Sequence, residues 1–133
     1  MTRWLEEAGI DYLHVPELSG RRKRQDVDPR LNAGWQNAGF KNYADYALTD
    51  PYWRGLDRLR DLAAQRRVVV MCGEPVPWRC HRLLIANNLV ALGWTVWHLI
   101  AGQEPRRHEL GKWGARPSLG EDRTVTYPPG DSD

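Results

Sequence analysis

The chain has 133 residues, the usual size of one domain, with 41% apolar, 27% charged and 10% aromatic residues and a net charge of +2. These are ordinary values for a globular protein. They exclude a membrane span of ~20 apolar residues, a signal peptide at MTRWLEEAGIDYL, and a disulfide framework, because only two cysteines are present. A reducing cytoplasmic setting is therefore expected.

In chain order, residues 3–8 read as a short helix ended by Gly9, and Asp11 to Val15 as a strand stopped by Pro16. Residues 16–40 mix Gly, Pro, Asn and a basic run without a period, which predicts a long loop. Tyr43 to Leu48 predicts a helical turn. Asp50 then stands as an N-cap before Pro51, opening an amphipathic helix over 51–65. On that helix Tyr52, Leu56, Leu59, Leu62 and Ala63 share one side, with Arg54, Asp57, Arg58 and Asp61 mostly opposite.

Val68 to Cys72 is a continuous apolar run, as expected of a strand buried on both faces. A turn with two prolines follows at Gly73–Trp78, then a helix over 79–92 closed by Gly93, then a strand over Trp94–Ile100. Residues 67–100 thus predict a β-α-β unit with parallel strands and a right-handed crossover. The fold class expected is α/β, a small three-layer-like domain with a mostly parallel sheet. Residues 1–110 are expected to form the single domain and residues 111–133 an extended or partly disordered tail, with 117–133 solvated.

The chemistry concentrates where the first of those strands hands over to its helix. In open parallel sheets, ligands sit beyond the carboxyl ends of the strands. Cys72 lies at such an end. Cys80, His81 and Arg82 lie in the first turn of the next helix, where free N–H groups and the helix dipole favour anions. Leu83, Ile85, Ala86, Leu89, Val90 and Leu92 cover half of that helix, and Arg82 and Arg79 fall within the same half. In the first turn that direction points over the strand ends, so both arginines are candidates to hold an anion. The alternative is that they are solvated, with snorkelling side chains.

Cys80, beside His81 and Arg82 at a helix N-terminus, is the better candidate for a thiol of lowered pKa. Cys72 could equally pack as a small apolar residue. Glu74 could act as a general base or hold Arg79 or Arg82 in place. Two sharper readings fail on spacing. The six residues between Cys72 and Arg79 are one too many for a phosphatase-type loop, and no Cys-x-x-Cys pair supports zinc at Cys72, Cys80, His81 and His98. No metal is therefore assigned, and the residues name no cofactor.

The run MCGEPVPWRCHRLLIANNL resembles the signature of the domain of unknown function 488 family, which typically reads Met-Cys-Ala-Glu, a short turn, Cys-His-Arg and an Ile-Ala-Asp helix. HVPELSGRR at residues 14–22 and FKNYADYALT at residues 40–49 match two further blocks, and the resemblance spans roughly residues 5–108. It implies a small α/β protein and carries no established reaction. By motif it adds His14, Glu17, Gly20, Arg21 and Arg22 from the first block, and Tyr43, Asp45 and Tyr46 from the second, as substrate-binding candidates. Gly73 stands where the family has Ala, and Asn87 where it has an acid. Two usual leading strands are missing before residue 1, which reads as an N-terminally shortened sheet.

Three functional readings follow. One is a thiol- or Arg-based activity on a small anionic, nucleotide-like substrate, resting on Cys, His, Glu and Arg at one strand end. A second is a nucleic-acid module, resting on Gly20-Arg21-Arg22-Lys23-Arg24 and on Trp35, Trp53, Trp78, Trp94 and Trp97, although core packing suits most of these tryptophans. The third is an inactive, truncated remnant. No membrane partner is expected, and the oligomeric state is not legible.

Overall fold

The computed structural model describes residues 7–20, 22–70, 81–100, 102–111 and 115–129. Among them, α1 spans Ala38–Tyr46, α2 Asp50–Gln65 and α3 Arg82–Ala91. Four two-residue strands follow: β1 Trp97–His98, β2 Arg106–Arg107, β3 Ser118–Leu119 and β4 Val125–Thr126. No helix among the described residues is long and apolar enough to cross a membrane.

Local chemistry sets the helix ends. Asn37 caps α1, its side chain accepting a hydrogen bond from Phe40 N at 3.2 Å, so this helix begins five residues before the turn expected at Tyr43. At α2 the capping position is Thr49, one residue before the expected Asp50. Its hydroxyl donates backwards to the Tyr46 carbonyl at 2.7 Å and thereby stitches α2 to the end of α1. Asp50 instead becomes an acid in the first turn, where the helix dipole favours it. α3 is apolar nearly all round, and residues 83–88 are all buried.

The mostly parallel, three-layer-like sheet expected from the sequence does not form among the described residues. β1 pairs antiparallel with β2, with Trp97 opposite Arg107 and His98 opposite Arg106. β3 pairs antiparallel with β4, with Ser118 opposite Thr126 and Leu119 opposite Val125. The architecture is therefore mixed helix and strand, with two small antiparallel pairs.

The physical reason lies in partners. Val68, Val69 and Val70 have strand chemistry but no neighbouring strand among the described residues, and Val69 is 64% exposed. The run Trp94–Ile100 becomes a strand only at Trp97–His98, where the chain that follows turns back on it. The run Asp11–Val15 is also not a strand, and its Tyr12 and Leu13 are exposed. Met71 and Cys72, the end of the expected 68–72 strand, lie outside the described residues.

The core gathers Tyr43, Tyr46, Tyr52, Leu56, Leu83 and Leu84 with Val125 and Tyr127. The last two fall in the segment expected to be solvated, and solvation does not hold there. Asn32 explains why. Its amide nitrogen donates to Asp45 Oδ1 at 2.8 Å, and its Oδ1 accepts from Tyr127 N at 2.8 Å. Gly34 N donates to the Tyr127 carbonyl at 2.7 Å, so residues 31–34 and 127 clasp each other.

Candidate functional site

The loop expected over 16–40 opens with a short 3-10 turn at Pro16–Leu18. Two tyrosines of α1 hold it. Tyr43 Oη donates to the Leu18 carbonyl and Tyr46 Oη to the Glu17 carbonyl, both at 2.6 Å. Helix α2 supports the turn from the other side at Gly55, where an added Cβ would lie 2.8 Å from Glu17 Cβ. Only glycine permits this approach. Burial pushes the Tyr43 hydroxyl far above its ordinary pKa, with neighbouring Tyr52 adding to the effect, so it remains a donor.

Arg22 closes the same turn. Its Nε donates to the Ser19 carbonyl at 2.9 Å and one terminal nitrogen to the Pro16 carbonyl at 2.5 Å. Its guanidinium carbon stands 3.9 Å above the Tyr46 ring centre, a cation–π contact.

His81, at the N-cap of α3, meets this arrangement directly. Its ring centre lies 5.0 Å from that of Tyr43. A Cβ on Gly20 would come within 2.6 Å of His81 Nδ1, so the imidazole packs where only glycine leaves room. Burial first, then Arg82, then Arg22 push the His81 pKa below its ordinary value. The imidazole is accordingly neutral at pH 7, within the electrostatic reach of two arginines.

The three motif blocks thus meet: Glu17, Gly20 and Arg22 from the first, Tyr43 and Tyr46 from the second, His81 from the third. Other candidates sit apart from that junction. Asp45 is buried and points at Asn32 and at Lys41 Nζ, 3.2 Å away, which is structural bonding. His14 is exposed. Arg82 is not set apart: it acts on the charge of His81 and also lines a groove beside α2 and α3. Arg21, Cys72, Glu74, Arg79 and Cys80 lie outside the described residues. Of the tryptophans, Trp35 is buried and stacks on Phe40 at 4.8 Å, and Trp53 packs partly buried against the core. Neither offers an open stacking platform. Trp78 lies outside the described residues.

A second polar array was not legible in the sequence. His98 Nε2 lies 2.7 Å from His108 Nδ1, His108 Nε2 lies 2.6 Å from Asn87 Oδ1, and Asn87 Nδ2 donates to Tyr127 Oη at 2.9 Å. Because Asn87 Oδ1 can only accept, His108 Nε2 carries a proton, and His108 Nδ1 accepts from His98 Nε2–H. The chain runs in one direction with both imidazoles neutral. Burial agrees, holding His108 down to about 4 and His98 below its ordinary value. The departure from an acid at Asn87 thus has a local role: the amide donates to Tyr127, which a carboxylate could not do. Alternation in Thr124-Val125-Thr126-Tyr127 could have flagged the inward Val125 and Tyr127. No local pattern flags an amide whose partner lies 40 positions away.

No curated protein and no solved structure matches the chain. The family model described as "Domain of unknown function DUF488" matches residues 1–89, a span that contains all three motif blocks that converge around His81. The chain belongs to the DUF488 family.

Proposed function

We propose that the junction around His81 binds a small anionic, nucleotide-like substrate, and that Cys72, Glu74 and Cys80, the sequence neighbours of this junction, supply any chemistry performed on it. The observation that carries this reading is the packing of neutral His81 against Gly20 and Tyr43, with Arg22 and Arg82 both acting on its charge. Three segments far apart in sequence spend close-packed glycine, tyrosine hydroxyls and an arginine on one spot. Two cations already disfavour a proton on the imidazole, and an anion between them would relieve that repulsion. Arginine suits the task, because its planar fork matches phosphate and carboxylate oxygens. Arg79 and Arg21 are further candidates for the same ligand, as is His14. Glu17, Tyr43 and Tyr46 shape the turn that presents Arg22.

Titration calorimetry with phosphate, sulfate and adenosine monophosphate tests the proposal. Arg82→Ala and Arg22→Ala should each weaken binding by about tenfold or more, on the scale of one charge-assisted hydrogen bond. Arg82→Lys should restore only part of the loss. If the wild type binds none of these anions, or if both alanine variants bind them as well as wild type, the junction is purely structural. Alkylation rate against pH for Cys72→Ala and Cys80→Ala then assigns the thiol. Fast reaction near neutral pH should disappear with Cys80 and persist without Cys72.

A further inference from the structure

We propose that the open groove beside α2 and α3 binds a monomeric amphiphile, an alkyl chain ending in a single anionic head. The groove has a volume of about 640 Å³, inside the roughly 300–1,000 Å³ typical of small-molecule sites. Its walls are apolar: Leu59 and Ala63 of α2, Ile85 and Leu89 of α3, and Trp94 and Val96 before β1. Val68, Val69, Val70, Trp97 and Leu99 extend the lining, and all five are large apolar side chains left exposed. Such clustering of exposed apolar residues marks a surface built to be covered.

Charge selects the occupant. Arg60, Arg67 and Arg82 line the groove, and among the described residues no aspartate or glutamate does. Arg60 reaches out of it to pair with Asp57 through one terminal nitrogen at 3.1 Å. Its Nε is buried and, among the described residues, has no hydrogen-bond acceptor. The three guanidinium groups make the rim cationic, and their planar forks match the oxygens of a carboxylate head. A second copy of the chain would instead bring its own arginines toward this cationic rim. A neutral alkyl compound would leave the cationic rim unmatched. An alkyl chain with a carboxylate meets both the wall and the rim. This inference does not depend on the reading of the His81 junction, with which it shares only Arg82.

The test is calorimetry and tryptophan emission with dodecanoate, dodecyltrimethylammonium and inorganic phosphate, each kept monomeric. Dodecanoate should bind once per chain, shift the emission of Trp94 and Trp97, and bind about tenfold or more tighter than the cationic analogue. Phosphate should not displace it. The charge-reversed double variant Arg60→Glu, Arg67→Glu should invert the preference between the two amphiphiles. That inversion cannot be produced by a loss of stability alone. Arg22→Ala should leave dodecanoate binding unchanged, so failure at the His81 junction and failure here are separable. Equal binding of the two amphiphiles, several molecules per chain, or an unchanged preference in the double variant would overturn the proposal. So would a ligand-free dimer in sedimentation that buries Trp97.

Discussion

The two sides of α3 obey different rules. Toward α1, α2 and the C-terminal strands, the buried amide side chains are answered. Asn88 Nδ2 donates to Tyr52 Oη, Asn87 joins His108 to Tyr127, and Asn32 joins Asp45 to the backbone of Tyr127. Toward Val68–Val70 and β1, the same helix meets an open groove in which apolar side chains face solvent. A hydrophobic pattern therefore states that a residue seeks cover without stating what covers it. On the closed side the cover is supplied by chain segments distant in sequence, and by hydrogen bonds that single out one arrangement.

Substitutions should expose this asymmetry. Leu84 is fully buried, and Leu84→Ala should cost about 2–5 kcal/mol in urea unfolding, from lost burial plus the cavity left behind. A cost below about 1 kcal/mol would mean that the closed side is not the stabilising one. Asn32→Ala comes next, at about 2 kcal/mol, because it leaves the buried Asp45 carboxylate short of a donor and Tyr127 N with only its longer bond to the Leu31 carbonyl. Asp45→Asn in that background should recover part of the loss by removing the buried charge.

Acidification addresses the same side. His108 and His98 have folded-state pKa values depressed below the ordinary 6.5, His108 to about 4. Above pH 6.5 both states are neutral at these positions and the stabilisation is complete. Between pH 6.5 and about 4 the unfolded chain takes up protons that the folded one refuses, so stability falls as the pH drops. Unfolding midpoints measured across this window should decline steadily. Asn87→Asp should flatten the decline, because a carboxylate at His108 Nε2 favours its protonated form. The smallest effect belongs to the groove. Val69→Ala should change stability by no more than about 0.5 kcal/mol, despite removing a β-branched apolar side chain. A loss comparable to that of Leu84→Ala would show that the groove is covered in solution.

What the sequence made legible follows the same division. The amphipathic phase of residues 51–65 placed Tyr52, Leu56 and Leu59 correctly in the core, because a helix buries one stripe whatever it packs against. His81 and Arg22 were named from motif blocks, and the structure brings them together. The strand expected at Val68–Cys72 does not form over its described residues, Val68–Val70, for the opposite reason. β-branched runs do not become strands without a ladder partner, and the single-chain pattern cannot supply one. Asp45 was named as a substrate-binding residue because it belongs to a motif block. Its carboxylate is spent on Asn32 and Lys41, partners that no local periodicity reveals.

The clasp between Asn32 and Tyr127 also orders events in time. The two residues are 95 positions apart, whereas Tyr43 and Tyr46 sit within a helix only four residues before α2 begins. Closing so long a loop costs chain entropy before any hydrogen bond repays it, and contacts of high sequence separation form slowly. The α1–α2 hairpin can collapse early on local contacts, while Asn32, Asp45 and the amide chain through Asn87 wait, with their polar groups still hydrated, for Tyr127 to arrive. Docking of residues 125–127 is therefore the step expected to come last, and refolding followed by protection of the buried amides checks that order.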